Sequence, residues 1–222
     1  DFHFTENKGQ FDKKVEYLCK IHIGSISFKQ NSFSFDMFSA KELDAFYEYR
    51  HDKKYKTEGP FGKLNKHVYN MNFLGANSNS FILPYDAKES YKNYFLGDDP
   101  SKWASNVTSY KKISYQNLYH GIDANIYSTN DHLKYDFIVA VGGNPNDIKI
   151  DYEGVEKLQL VDGVLEVILS NEIVRELKPI AYQEVDKQQV EVACEFKIEN
   201  GVVSFNFPNG YDKNKELIKE KI

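Results

Sequence analysis

Five aspartates in the middle of the chain, Asp98, Asp99, Asp123, Asp131 and Asp136, come nearest to a recognisable chemistry. Gathered round one cavity they would offer the oxygen ligands of a calcium site, and two of them at a fixed separation would suit glycoside hydrolysis. Asp123 and Asp136 are the pair on which a hydrolytic reading depends. No Asp-x-Asp-x-Asp-Gly loop is present, and nothing local brings the carboxylates together, so structural roles are the better expectation. The histidines, His3, His22, His51, His67, His120 and His132, show no His-x-x-x-His spacing, and there are two cysteines in all. No metal site and no cofactor is expected from them. A nucleophile is equally hard to find. Gly-x-Ser-x-Gly is absent, and Cys19 and Cys194 both fall on apolar strand faces, where burial disfavours a thiolate.

Two other groups suit binding better than catalysis. Glu6, Asn7, Lys8 and Gln10 surround Gly9 in a polar cluster that could hold a small ligand, although ordinary turn chemistry accounts for the same residues. Trp103, Tyr110, Tyr115 and Tyr119 would make an aromatic platform for a sugar ring if exposed, and core packing is the competing use of such large side chains. Gly142-Gly-Asn-Pro-Asn146 lacks the Lys-Ser/Thr of a phosphate loop and precedes a strand pattern, so it reads as a turn.

The elements that must position these residues are strands. In 222 residues there are 16 Tyr and 16 Phe beside a single Trp, and aromatic side chains favour the pleated, half-buried surface of a sheet. Val15, Tyr17, Cys19 and Ile21, then Ile26 and Phe28, then Phe33, Phe35 and Met37 alternate with polar residues, with breaks at Gly24-Ser25 and Asn31-Ser32, which predicts an antiparallel meander. Tyr69, Met71 and Phe73 share another face. Leu133, Tyr135, Phe137, Val139 and Val141 form the clearest period-two run, which should bury them and turn Lys134 and Asp136 outward. Asp162-Gly163 and Asn200-Gly201 sit between such runs and supply the positive φ angles of tight hairpins, the second joining Val190 to Ile198 with Val203 to Phe207. Ser39-Ala-Lys-Glu42 offers a capping box for a short helix. Asp99 and Pro100 suit the start of a helical turn that leaves Trp103 a face to bury.

The chain is long enough to bury a core without disulfide or metal staples, and one β-rich domain over residues 1–222 is expected. Residues 50–66, rich in Lys and Arg around Gly59-Pro60, read as a mobile loop, and residues 211–222 as a charged tail that leads towards a further domain. Lys+Arg 28 against Asp+Glu 33 gives a net charge of -5 with no basic block, which disfavours a nucleic-acid groove, and no nucleic-acid partner is expected. No stretch is apolar over the length of a membrane-spanning helix, so membrane insertion is not expected.

With these elements placed, separated motifs can be taken together: Phe4-Thr-Glu-Asn-Lys-Gly-Gln10, Asn72-Phe-Leu-Gly-Ala-Asn77, Asn93-Tyr-Phe-Leu-Gly-Asp-Asp-Pro-Ser-Lys-Trp103, Gly121-Ile-Asp123, Lys134-Tyr-Asp-Phe137 and Lys178-Pro-Ile-Ala-Tyr-Gln-Glu184. In this order they resemble the uncharacterised N-terminal domain of large secreted Bacteroidetes-type surface proteins. In those proteins the domain usually precedes propeller-type repeats, immunoglobulin-like or PKD-like modules and a C-terminal sorting signal. The resemblance implies a secreted or cell-surface location and carries no activity.

The expected fold is therefore mainly β, an antiparallel sandwich or extended two-sheet sandwich with one or two short helices. The expected function is that of a non-catalytic structural or binding module, with a glycan or a neighbouring domain of the parent chain as partner. The alternative is a carbohydrate-active enzyme using Asp123 and Asp136 as paired carboxylates.

Overall fold

A computed structural model describes residues 2–51, 64–95, 97–100 and 103–220. The chain opens with β1 (Phe4–Glu6), β2 (Tyr17–Ile21), β3 (Gly24–Lys29) and β4 (Ser32–Phe38), followed by the helix α1 (Ala40–His51). Next come β5 (Lys66–Phe73), β6 (Phe81–Tyr94), β7 (Ala104–Tyr119), β8 (Ile122–Thr129) and β9 (His132–Val139). A 3-10 turn at Pro145–Asp147 leads into β10 (Ile150–Glu153), β11 (Lys157–Val161), β12 (Val164–Ile168) and β13 (Ile173–Glu176). The chain then forms β14 (Ile180–Val185), β15 (Gln188–Val192), β16 (Glu195–Glu199), β17 (Val202–Asn206) and β18 (Leu217–Glu220).

Fifteen of these strands form one antiparallel ladder, ordered β15-β14-β18-β9-β8-β7-β1-β2-β3-β4-β5-β10-β17-β16, with β6 on the other edge of β7. The sixteen-residue β7 is where the ladder becomes two layers. β6 runs along one of its edges, while β8 pairs with Lys112–Tyr119 and β1 with Ser109–Tyr110. A strand has only two hydrogen-bonding edges, so β1 and β8 share the second in tandem, and each starts a separate layer. The two far ends of the ladder, β15 and β16, are joined by Ala193 and Cys194 alone, which holds them within about 10–14 Å of each other. The layers therefore face one another across a single core.

Aromatic rings fill that core. Phe33 from β4 meets Tyr115 of β7 at 5.7 Å and Tyr135 of β9 at 6.2 Å. Phe137 of β9 meets Phe73 of β5 at 6.1 Å and Phe205 of β17 at 6.0 Å. The separate three-stranded sheet β11-β12-β13 adds Leu165 and Val167 to the same cluster, and the turn after β12 adds Leu169. The last residue of that sheet, Glu176, is buried and accepts the hydroxyl protons of Tyr135 at 2.9 Å and Tyr152 at 2.7 Å. A carboxylate is tolerated there because both oxygens receive hydrogen bonds.

The structure is mainly β and sandwich-like, as the periodicity predicts. The meander β2-β3-β4 and both predicted hairpins are present, with Asp162 and Gly163 at φ 51° and 81° and Asn200 and Gly201 at 50° and 80°. Two further turns with paired positive φ, Asn130-Asp131 and Asp186-Lys187, contain no glycine and so gave no signal. Gly24 is not a break but the first residue of β3, packed so closely against Asp36 that no Cβ would fit. The capping box forms by half. Ser39 Oγ accepts the Glu42 N–H at 3.4 Å, but the Glu42 carboxylate is bonded to Asn65, and the helix runs on for twelve residues.

Other expectations are corrected. β9 ends at Val139, leaving Val141 exposed, and Asp136 is buried although it lies on the opposite face from Tyr135 and Phe137. The apolar run Val190 to Ile198 is two strands, β15 and β16, because the chain crosses from one layer to the other at Ala193 and Cys194. Tyr211 onward is no tail up to Glu220, since β18 is inserted between β14 and β9. The loop expected over 50–66 lies outside the described residues between 52 and 63.

Candidate functional site

The first polar cluster is a fastener. In the loop after β1 the Asn7 amide donates to the carbonyls of Asp12 at 2.9 Å and Val15 at 2.7 Å, while its oxygen accepts the N–H groups of Gly9 and Phe11. Gln10 donates to the Glu6 carbonyl at 2.6 Å and accepts the Lys8 N–H at 2.7 Å. Every polar position of the Asn7 amide is thereby used within the loop. Glu6 Oε1 accepts the Thr108 N–H at 2.7 Å and the Lys8 ammonium at 3.0 Å, and that ammonium also donates to the Asn106 carbonyl. These contacts tie β1 to β7 beside Asn106, whose φ is 54°. An open cleft of about 540 Å³ lies alongside, lined by Phe11, Lys13, Glu16 and Tyr17 together with Glu6 and Asn7. Burial raises the Glu16 carboxyl above its ordinary value. Burial, with Tyr110, Glu6 and Glu16 nearby, pushes the Tyr17 phenol up to about 12.

The four predicted platform aromatics separate. Tyr115 and Tyr119 are core residues whose hydroxyls donate to the carbonyls of Lys29 at 2.7 Å and Lys149 at 3.1 Å. Tyr110 is half-buried with its ring edge-on to Tyr17 at 6.1 Å. Trp103 is 43% exposed, contrary to the burial that its turn suggested. Its indole N–H donates to the Gly97 carbonyl at 3.1 Å and its ring packs edge-on against Phe95 at 5.5 Å. Phe95 is itself 63% exposed, and one residue back Tyr94 meets Phe11 at 5.8 Å. The loop end of the long β6–β7 ribbon thus carries exposed rings beside the Glu6–Tyr17 cleft. Phe95 lies inside the run Asn93–Trp103 and was readable there; Phe11 and Tyr94 gave no separate signal.

Asp123 and Asp136 share one sheet face but are not directly opposed in the ladder, since Asp123 lies opposite Ile138 and Asp136 opposite Asn125. Asp123 Oδ1 accepts the Asn117 N–H at 2.7 Å and so stabilises an irregularity of β7 where Asn117 has φ 52°. Asp136 stands on the same outer face of β8 and β9, directly opposite Asn125. Asp98 lies at the ribbon end, Asp131 in the β8–β9 turn. Among the described residues no group of three His, Cys, Asp or Glu side chains could hold a metal ion. His67 is used structurally, one ring nitrogen 2.8 Å from Ser170 Oγ and the other 2.6 Å from the Gly154 carbonyl.

Cys19 and Cys194 are unpaired thiols, the first buried and the second half-buried. Burial pushes Cys19 up to about 12 against a weaker opposing hydrogen bond from the His3 backbone, and pushes Cys194 up to about 11 against the charge of Lys219. At neutral pH both stay protonated and poorly nucleophilic. A disulfide-exchange reagent at neutral pH should label neither quickly in the native protein and both at once in denaturant, with no need for reductant. Rapid native labelling of either thiol would contradict this burial.

The fold and its surface define a two-layer antiparallel β module with an aromatic ribbon end and shallow polar clefts. Among the described residues no helix is long and apolar enough to cross a membrane. The chain belongs to a domain-of-unknown-function family, DUF7948, whose sequence model matches residues 4–218. No curated protein and no solved structure matches it.

Proposed function

We propose that this chain is a non-catalytic binding module of a secreted, surface-associated bacterial protein, and that it contacts glycan through the loop end of the β6–β7 ribbon. One observation supports this reading above the others: the Trp103 indole is fixed by its N–H to Gly97 and by the edge of Phe95, yet keeps much of its ring exposed. A fixed aromatic face binds a sugar ring with little ordering cost, because the side chain has already lost its rotamer freedom. The adjoining cleft adds Lys13, Glu16 and Tyr17 as polar partners. The hydrolytic alternative is not favoured, since Asp123 is committed to the backbone of Asn117.

The purified chain should show no turnover on polysaccharide, peptide or ester substrates. A glycan array followed by thermal-shift titration should identify a ligand. Trp103→Ala should weaken that ligand by about tenfold, the equivalent of about 1.4 kcal/mol, without lowering the melting temperature of the free protein. Turnover abolished by Asp123→Asn or Asp136→Asn with the fold intact would overturn the non-catalytic reading. Unchanged affinity in Trp103→Ala would remove the ribbon end from it.

A further inference from the structure

The cleft beside the ribbon end contains two carboxylates in unlike circumstances. Glu6 is engaged, accepting the Thr108 N–H and pairing with the Lys8 ammonium. Glu16 is half-buried with its backbone N–H bonded to the Phe28 carbonyl, and its side chain has no hydrogen bond and no ion pair among the described residues. Burial raises its carboxyl, and no cation stands close enough to offset that effect. Lys13 lines the same cleft but is exposed to solvent. A carboxylate drawn partly out of water without a partner costs free energy that a bound cation recovers.

The surroundings narrow the kind of cation. Phe11 and Tyr17 line the cleft, and each ring is held edge-on by a neighbour from the ribbon, Phe11 by Tyr94 at 5.8 Å and Tyr17 by Tyr110 at 6.1 Å. Aromatic rings attract a cation within about 6 Å of their centres. Rings alone would suit a quaternary ammonium, which has no N–H to donate. An ionised carboxylate only accepts hydrogen bonds, so Glu16 is better matched by a primary ammonium with its three donors. The Tyr17 hydroxyl, which makes no hydrogen bond among the described residues, adds a further acceptor. The way from the Trp103 platform is short, since Phe95 packs on Trp103 and the preceding Tyr94 packs on Phe11. At about 540 Å³ the cleft has the size of an ordinary small-ligand site.

We propose that this cleft takes the amino group of a glycan bearing unacetylated hexosamine, with Glu16 accepting the ammonium protons beside the rings of Phe11 and Tyr17. The inference rests on the reading of the ribbon end as a glycan platform and adds the class of glycan.

The test is calorimetric titration of the whole chain with a glucosamine oligomer, with the N-acetylated oligomer of the same length, and with trilysine. The glucosamine oligomer should bind about tenfold more tightly than its acetylated counterpart, with affinity that falls as salt is raised. Glu16→Gln should remove that preference, weakening the glucosamine oligomer by about tenfold and leaving the acetylated one unchanged. Because the protein gives this carboxylate no partner, the same substitution should leave the melting temperature of the free chain unchanged or raise it. Trp103→Ala should weaken both oligomers alike. A lower melting temperature in Glu16→Gln would show that Glu16 serves the fold and would overturn the inference. Equal binding of the two oligomers, no binding of the glucosamine oligomer, or affinity unchanged in Glu16→Gln would overturn it as well. The ribbon-end reading survives those results and falls only with Trp103→Ala. Trilysine binding as tightly as the saccharide would assign the cleft to a basic peptide and overturn the glycan partner.

Discussion

A chain stopped after Glu216 is expected to lose its cooperative thermal transition, although only six residues, Leu217–Ile222, are removed. β18 sits inside the ladder, with Leu217, Ile218 and Lys219 opposite Val139, Ile138 and Phe137 on one side and Ile180, Ala181 and Tyr182 paired on the other. Its loss strips the hydrogen bonds from two neighbouring edges at once, at about 1 kcal/mol each, and leaves buried donors and acceptors without partners. Leu217, fully buried, adds about 1.5–3 kcal/mol of lost burial. Lys219 is also buried, its ammonium 4.1 Å from the centre of the Phe205 ring and 5.0 Å from that of Tyr135, so the strand carries part of the aromatic core. The approach to β18 is clamped as well, by Gln183 donating to the Asp212 carbonyl and accepting the Asp212 N–H. These contributions together approach the whole stability of an ordinary domain. Thermal melting followed by circular dichroism, with size-exclusion chromatography to detect aggregation through the exposed edges, checks this. A truncated chain melting within a few degrees of the intact one would show β18 to be dispensable.

Phe33→Ala is expected to destabilise by about 3–5 kcal/mol, since the ring is fully buried and its removal leaves a cavity. Phe33 has ring neighbours in both layers: Phe28 at 4.9 Å and Phe73 at 5.1 Å in its own, Tyr115 and Tyr135 across the core. For a domain of this size that loss corresponds to a fall in Tm of about 6–20 °C. Phe35→Ala is the comparison, because Phe35 is only half-buried and stacks chiefly on Tyr69 at 4.5 Å. A smaller drop for Phe35→Ala than for Phe33→Ala, measured by denaturant titration, is the expected order. The reverse order would mean that the interlayer rings do not carry the core.

Phe33 and β18 mark the two sides of what was legible. Period-two alternation places Phe33, Met71, Tyr135 and Phe137 on inward faces, because a strand with one wet side must write its burial into its own sequence. The hairpin turns at Asp162-Gly163 and Asn200-Gly201 are legible for the same local reason, as their backbone angles restrict the residue type. β18 carries Leu217-Ile-Lys-Glu220, too short and too charged to announce itself, and becomes a strand only because β14 and β9 offer it two edges. β6 fails the alternation too. It holds Pro84, a positive φ at Asp86 and register shifts, and it pairs along only one side.

The sites divide along the same line. Sequence by itself determined the residue chemistry: which side chains accept, donate, carry charge or stack, and that no local motif brings a nucleophile or metal set together. Tertiary structure decided which of them remain available. It placed Tyr115 and Tyr119 in the core, used Asn7, Gln10 and Asp123 to hold the backbone, and left Trp103 locked but exposed. It also set Tyr94 and Tyr110 of the ribbon against Phe11 and Tyr17. Partners of that kind come from segments far apart in the chain, and their register depends on long-range pairing that no local periodicity encodes.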